Sequence, residues 1–196
     1  MKCCQNQRLR KRVIQGMEFE QCEECGFLYK KNVVSLELEK ERYDLHICDD
    51  RYESYMKTIC ERVKPYLKKE KCLDYGCGKL PILAELLAQE GYPCAYYDLF
   101  YYPKLPKDRY GNIVMIEVFE HLKNPLEELE KLSNLLKKGG RLLIMTKPYL
   151  EETLDQWWYL RDITHLCFLR NDTLSHWDIP FTLICQTEDI FVLERI

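Results

Sequence analysis

From Asp50 the apolar residues Tyr52, Tyr55, Met56, Ile59, Val63 and Tyr66 fall three or four apart, which predicts one amphipathic helix that Pro65 should kink or end. The pattern then changes period several times. Cys72-Leu73-Asp74-Tyr75 reads as a short strand, Leu80 to Glu90 as a helix closed by Gly91, and Pro93 to Leu99 as a second strand. Tyr101 to Lys107, with prolines at 103 and 106, reads as a loop. The unbroken apolar run Ile113-Val114-Met115-Ile116 predicts a strand buried on both faces. Asn124-Pro125-Leu126-Glu127 has the composition of a capped helix start, Lys137-Lys138-Gly139-Gly140 that of its end, and Leu142 to Thr146 that of a strand.

Strands alternating with helices predict βαβ units, hence an α/β fold with a mostly parallel sheet and helices on both faces. The tail departs from this. Phe181 to Cys185 and Ile190 to Leu193 are β-rich runs joined by a few polar residues, which predicts an antiparallel hairpin. Residues 1–42 lack a long apolar period and are read as a small cysteine-containing appendage, with 43–196 as the main domain.

The chain has 196 residues, 46% hydrophobic, enough for one proper core. A net charge of -3 does not indicate a phosphate-binding surface, and the one basic cluster, Arg8 to Arg12, reads as a solvated face. Eleven cysteines, an odd number with no secretory segment ahead of them, fit a reducing cytoplasm better than a disulfide framework. No window nears the roughly 20 apolar residues that cross a bilayer, so no membrane association is expected.

Asp74-Tyr75-Gly76-Cys77-Gly78 stands where the first strand of the alternating region meets a helix. Glycines there permit a tight turn and close approach by a ligand. Asp98, twenty positions after Gly78, ends the next strand where a carboxylate can accept from both ribose hydroxyls of an adenosine. A dinucleotide site would want a third glycine, but Lys79, Leu80 and Pro81 follow. Asp74 would repel a phosphate and suits a cofactor with an amino group and a sulfonium, S-adenosylmethionine.

With these motifs in order, the sequence from about Tyr43 to Ile196 resembles the class I S-adenosylmethionine-dependent methyltransferases, in particular small bacterial members. CLDYGCG is similar to their first motif, YYD to the ribose-binding acid, IEVFEHLKNPLEELEKL to the fourth strand with its helix, and LLKKGGRLLIMTKP to the fifth strand. The resemblance implies a Rossmann-like sheet ordered 3-2-1-4-5-7-6, although a third strand is hard to find between Tyr101 and Gly111. It also implies that Gly76 and Gly78 pass under the methionine and ribose, Asp98 holds the ribose, Leu99 flanks the adenine and Glu117 lies beside the methionyl group.

Three readings stay open for Glu117-Val118-Phe119-Glu120-His121. The stretch is the polar end of a strand, or His121 or His165 is a general base, or a divalent ion is bound. E-x-x-E-H resembles the metal motif of small-RNA 3'-terminal 2'-O-methyltransferases, which implies Glu117, Glu120, His121 and His165 as ligands for Mg, Mn or Zn. Trp157, Trp158 and Tyr159 are candidates to stack a flat acceptor, and Tyr43 and His46 to close the pocket from the other side.

Cys22-Glu23-Glu24-Cys25-Gly26 has the spacing of a zinc knuckle, and Cys3 fits the first position of a second one. Asn6 stands where the fourth cysteine would be expected, so a degenerate ribbon is weighed against a zinc site of Cys3, Cys22 and Cys25, with Cys4 within reach of a shared ion. The expected activity is methyl transfer from S-adenosylmethionine to an oxygen or nitrogen of a small-molecule acceptor. The alternatives are an RNA methyltransferase and a non-catalytic cofactor-binding or zinc-adaptor module.

Overall fold

A computed structural model describes residues 3–4 and 8–196; Asn6 lies outside the described residues. The central sheet has six strands, β4 (Cys72–Tyr75), β5 (Cys94–Tyr97), β6 (Tyr110–Ile116), β7 (Leu136–Met145), β9 (Phe181–Gln186) and β10 (Ile190–Arg195). Their spatial order is β5-β4-β6-β7-β10-β9. The first four are parallel, while β10 runs antiparallel to β7 and to β9. This is the expected order without its third strand. Residues 98–109 cross that edge as a loop holding only an isolated Asp98 to Tyr102 bridge, and Pro103 and Pro106 have no N–H to give to a ladder.

Both faces are covered, and the period of two along the strands shows how. Val114 of β6, Leu143 and Met145 of β7, and Ile190 and Val192 of β10 share a core with α2 (Asp50–Val63) and α3 (Ile82–Gln89). Their neighbours Ile113, Met115, Leu142, Ile144, Phe191 and Leu193 point the other way and meet α4 (Pro125–Leu135). Each fully buried aliphatic chain of this kind stabilises the fold by roughly 1.5–3 kcal/mol relative to exposure. Of the α2 face read from sequence, Met56, Ile59 and Val63 are buried with Cys60, while Tyr55 is exposed, and Asp49 caps the first turn.

Two expectations around α4 need correction. The helix ends at Leu135, and Lys137 to Gly140 already belong to β7, because Leu136 is fully buried and pairs with Tyr110. Asn124 makes no side-chain cap bond, and its amide oxygen is buried without a partner.

The N-terminal segment is more structured than its composition suggests. Strands β1 (Leu9–Ile14), β2 (Met17–Cys22) and β3 (Leu28–Lys30) form a second sheet, closed by β8 (Cys167–Phe168) in the order β1-β2-β3-β8. The basic cluster lies on the edge strand β1. There Arg10 and Arg12 donate to Gln21 and pair with Glu151, so part of its charge is neutralised within the protein. Helix α1 (Leu36–Asp44), also unforeseen, carries Tyr43. No helix among the described residues is long and apolar enough to cross a membrane.

Candidate active site

The site lies at the carboxyl ends of β4, β5, β6 and β7, outside the sheet edge where open α/β sheets place ligands. After β4 the chain turns through Gly76 and Gly78, both at positive φ (87° and 69°). A Cβ on Gly76 would stand 2.4 Å from Cγ2 of Val118, so this glycine also lets the turn lie against the chain leaving β6. Asp98 fastens the turn from β5. Its Oδ2 accepts from Gly78 N (3.0 Å), and its Oδ1 accepts from Phe100 N (2.8 Å) and Tyr101 N (3.0 Å). Leu99, beside it, is exposed.

Asp74 is buried beneath the turn. Burial pushes its carboxyl up to about 7, opposed by the Ala84 N–H and reinforced by Asp98.

Leaving β6, Glu117 adopts φ of 51°, a left-handed conformation that a residue with a Cβ adopts at a cost of about 1–3 kcal/mol. Its N–H donates to Met145 O (2.9 Å), and its Oε2 accepts from the Tyr159 hydroxyl (2.9 Å). Its Oε1 is buried with no partner. Burial first, then the nearby Glu120, raises this carboxyl to about 7. An orphaned carboxylate oxygen beside a glycine turn is what an ammonium-bearing cofactor would satisfy, so the residues fit S-adenosylmethionine.

Glu120 is wholly buried. It accepts from Thr146 Oγ1 (2.9 Å) and lies against the same Tyr159 oxygen, whose single proton can go to only one of the two acids while the other acid, protonated, donates to it. His121 Nδ1 faces Thr164 O at 3.2 Å and His165 Nδ1 faces Tyr159 O at 2.9 Å. A carbonyl can only accept, so in both rings Nδ1 carries the proton and Nε2 holds a lone pair. Burial lowers both imidazoles, His165 to about 3 with His121 as the next cause, so both are neutral at pH 7.

One ligand atom each from Glu120, His121 and His165 lies within 4.8 Å of the others. One carboxylate and two neutral imidazoles, each steered by an outer hydrogen bond, form a donor set that fits a divalent ion such as Zn or Mn. Glu117, the fourth expected ligand, stands outside that group.

The Tyr43 ring lies 5.3 Å from that of His121 and 5.6 Å from that of Phe100, and the His46 ring is tilted against it at 5.9 Å. The aromatic segment divides. Trp157 and Tyr159 pack in a core with Tyr149 and Phe168, whereas Trp158 is 57% exposed, with Lys147 4.6 Å over its ring. Thr146 was not foreseen, and Tyr159, read from sequence as a stacking candidate, instead turns its hydroxyl to the two acids. They approach the acids only through the fold, and no local spacing marks them.

A sheet ordered this way, with a glycine turn and an acid on adjacent strand ends, defines a Rossmann-like methyltransferase fold. The sequence matches the methyltransferase-domain family over residues 49–177, and the chain belongs to that family of S-adenosylmethionine-dependent methyltransferases. No curated protein matches the chain by sequence similarity.

Among solved structures, a Burkholderia thailandensis 1,6-didemethyltoxoflavin-N1-methyltransferase with bound 1,6-didemethyltoxoflavin and S-adenosylhomocysteine is similar at a TM-score of 0.58 and 13% identity, over 88% of this chain and 96% of that one. A Methanosarcina mazei S-adenosylmethionine-dependent methyltransferase is similar at 0.51 and 13%, over 69% and 97%. Coclaurine N-methyltransferase bound to N-methylheliamine and S-adenosylhomocysteine is similar at 0.48 and 18%, over 72% of this chain, which spans about half (52%) of its length.

Proposed function

We propose that the protein transfers the methyl group of S-adenosylmethionine to an oxygen, or failing that a nitrogen, of a small-molecule acceptor held between Tyr43, His121 and Trp158. The carrying observation is the pair of neutral imidazoles whose Nδ1 protons are committed to Thr164 O and Tyr159 O. In this reading the Gly76 turn, Asp98 and Leu99 hold the adenosine, Asp74 supports the turn, and Glu117 Oε1 accepts from the cofactor's ammonium. When bound, the cofactor supplies an electrophilic methyl on a sulfonium.

His121 Nε2 would take the hydroxyl proton of the acceptor as its oxygen is methylated by the group the bound cofactor would supply, leaving His121 as an imidazolium. His165 and Glu120 stabilise that cation, and Tyr43 keeps water from the nucleophile.

Glu120, His121 and His165 would equally hold a divalent ion, whose charge would lower the pKa of an acceptor hydroxyl. A small, flat acceptor agrees with the exposed Trp158 ring and with the Burkholderia relative named for a small heterocycle. The RNA alternative is disfavoured by the pairing of Arg10 and Arg12 with Glu151.

The test is S-adenosylhomocysteine release over a panel of hydroxylated and amino small molecules, before and after EDTA, and after adding back Mg, Mn or Zn. An EDTA-insensitive turnover lost in His121→Ala indicates the base, and a metal-restored turnover indicates the ion. Turnover untouched by EDTA and by His121→Ala would remove both.

A further inference from the structure

A second cluster of ligating side chains lies in the N-terminal sheet, apart from the candidate active site. Cys3, Cys4, Cys22 and Cys25 are each at most 5% exposed. One sulfur of each lies within 4.8 Å of the other three, with Cys4 Sγ 3.6 Å from Cys22 Sγ and Cys25 Sγ 3.5 Å from Cys3 Sγ. Four thiolates bound about 2.3 Å from one zinc occupy a tetrahedron with edges of about 3.8 Å. A disulfide would need its sulfurs at about 2.05 Å.

The surroundings are built for an anionic centre. The Cys22 to Phe27 turn is closed by Gly26 N donating to Cys22 O and Cys22 N to Phe27 O, both at 2.9 Å. Gly26 has φ of 70°, and a Cβ there would stand 2.3 Å from Nε of Arg170, so the guanidinium lies against the turn. The indole N–H of Trp177, 6% exposed and without a hydrogen-bond partner of its own, lies beside the Cys25 sulfur. Thr173 Oγ1 donates to Cys25 O at 2.8 Å.

The other end of the hairpin reaches the histidine side of the active site. Leu28 and Tyr29 pair with Phe168 and Cys167, and Lys30 N donates to Leu166 O at 2.8 Å. The buried Lys30 ammonium donates to Leu160 O (2.7 Å) and Asp162 O (2.8 Å).

We propose that Cys3, Cys4, Cys22 and Cys25 bind one structural zinc ion, Cys4 supplying the fourth ligand, and that the ion braces the β2–β3 hairpin against the segment carrying His165. Each thiol gives up its proton to solvent as its sulfur bonds the metal. The resulting tetrathiolate carries two negative charges, beside which stand the Trp177 N–H and the Arg170 guanidinium, the latter also paired with Asp172 through Nε and Nη2 (both 3.0 Å). The closed, four-sulfur shell leaves no position for a substrate, so the role is structural.

The test is elemental analysis of the full chain purified without added metal. One zinc per chain is expected to persist in His121→Ala, whose other candidate metal site is disabled, and to be lost in Cys4→Ser. Should Cys4→Ser fail to fold, the wild type decides the matter. Exchange of its zinc for cobalt(II) must give the intense visible bands of a tetrahedral site with sulfur-to-cobalt charge transfer, and a mercurial thiol reagent must release the zinc. Metal-free wild-type protein that takes up no cobalt, or intact mass showing disulfides among these cysteines, overturns the site. Hydrogen exchange across 160–168 should be at least severalfold slower with zinc than after stripping. Equal rates overturn the bracing role.

Discussion

The rings of His121 and His165 stand 4.7 Å apart, crossed at 73°, with the Nδ1 of each turned away to a backbone carbonyl. With both Nδ1 protons committed to carbonyls, each ring keeps a free Nε2 lone pair, and a ligand atom of each ring lies within 4.8 Å of the other and of Glu120. Replacing His121 by alanine should lower turnover by about 10²–10⁴, the usual contribution of a general base. Cofactor affinity, read by calorimetry, should hardly change, since His121 touches none of the groups assigned to the adenosine. A matched loss of affinity would mean that His121 shapes the cofactor pocket instead.

The Tyr159 hydroxyl bridges Glu117 and Glu120. Removing it in Tyr159→Phe leaves the buried Glu120 and the half-buried Glu117 without the hydroxyl that joins them, at a cost of about 1–3 kcal/mol in chemical denaturation. A variant as stable as the wild type would show that the acids find other partners.

The stability of the cofactor-free protein should depend on pH through Asp74. Its carboxyl is raised in the fold from 3.8 to about 7, chiefly by burial. Across that window the folded chain keeps a proton that the unfolded chain releases, so its contribution to stability is lost as pH rises. Glu117, raised from 4.5 to about 7 by burial and then by Glu120, acts in the same sense. His165, lowered from 6.5 to about 3 by burial and then by His121, acts in the opposite one, losing stability as pH falls below 6.5. Asp74→Asn should therefore gain on the wild type by up to about 4 kcal/mol between pH 4 and pH 7. A constant difference between the two proteins over that range would contradict the assignment.

Gly76→Ala should abolish measurable cofactor binding and destabilise the chain by about 1–3 kcal/mol or more. The new Cβ would meet Val118 at 2.4 Å on a backbone at φ of 87°. Gly91→Ala is the control, since it shares a positive φ but meets nothing within 4 Å, and it should bind cofactor normally.

The sheet of this protein was legible because its signals are local. Ile113 to Ile116 and Leu142 to Met145 alternate between the two cores residue by residue, so a strand buried on both faces had to be apolar throughout. Gly76, Gly78 and Asp98 were legible for a similar reason, since strand, turn and helix place them within a few residues of the β4 and β5 ends. The ribbon of β1, β2 and β3 was not, because its outward positions are charged and its inward ones are completed by β8, far along the chain.

Chain order alone thus determined the family, the glycine turn after β4 and the candidate set of Glu117, Glu120, His121 and His165. Only tertiary structure decided that Glu120, His121 and His165 cluster without Glu117, that Tyr159 joins the two acids, and that Cys4 lies with Cys3, Cys22 and Cys25. These are contacts between segments distant in sequence, and spacing along a chain carries no information about which distant side chains meet.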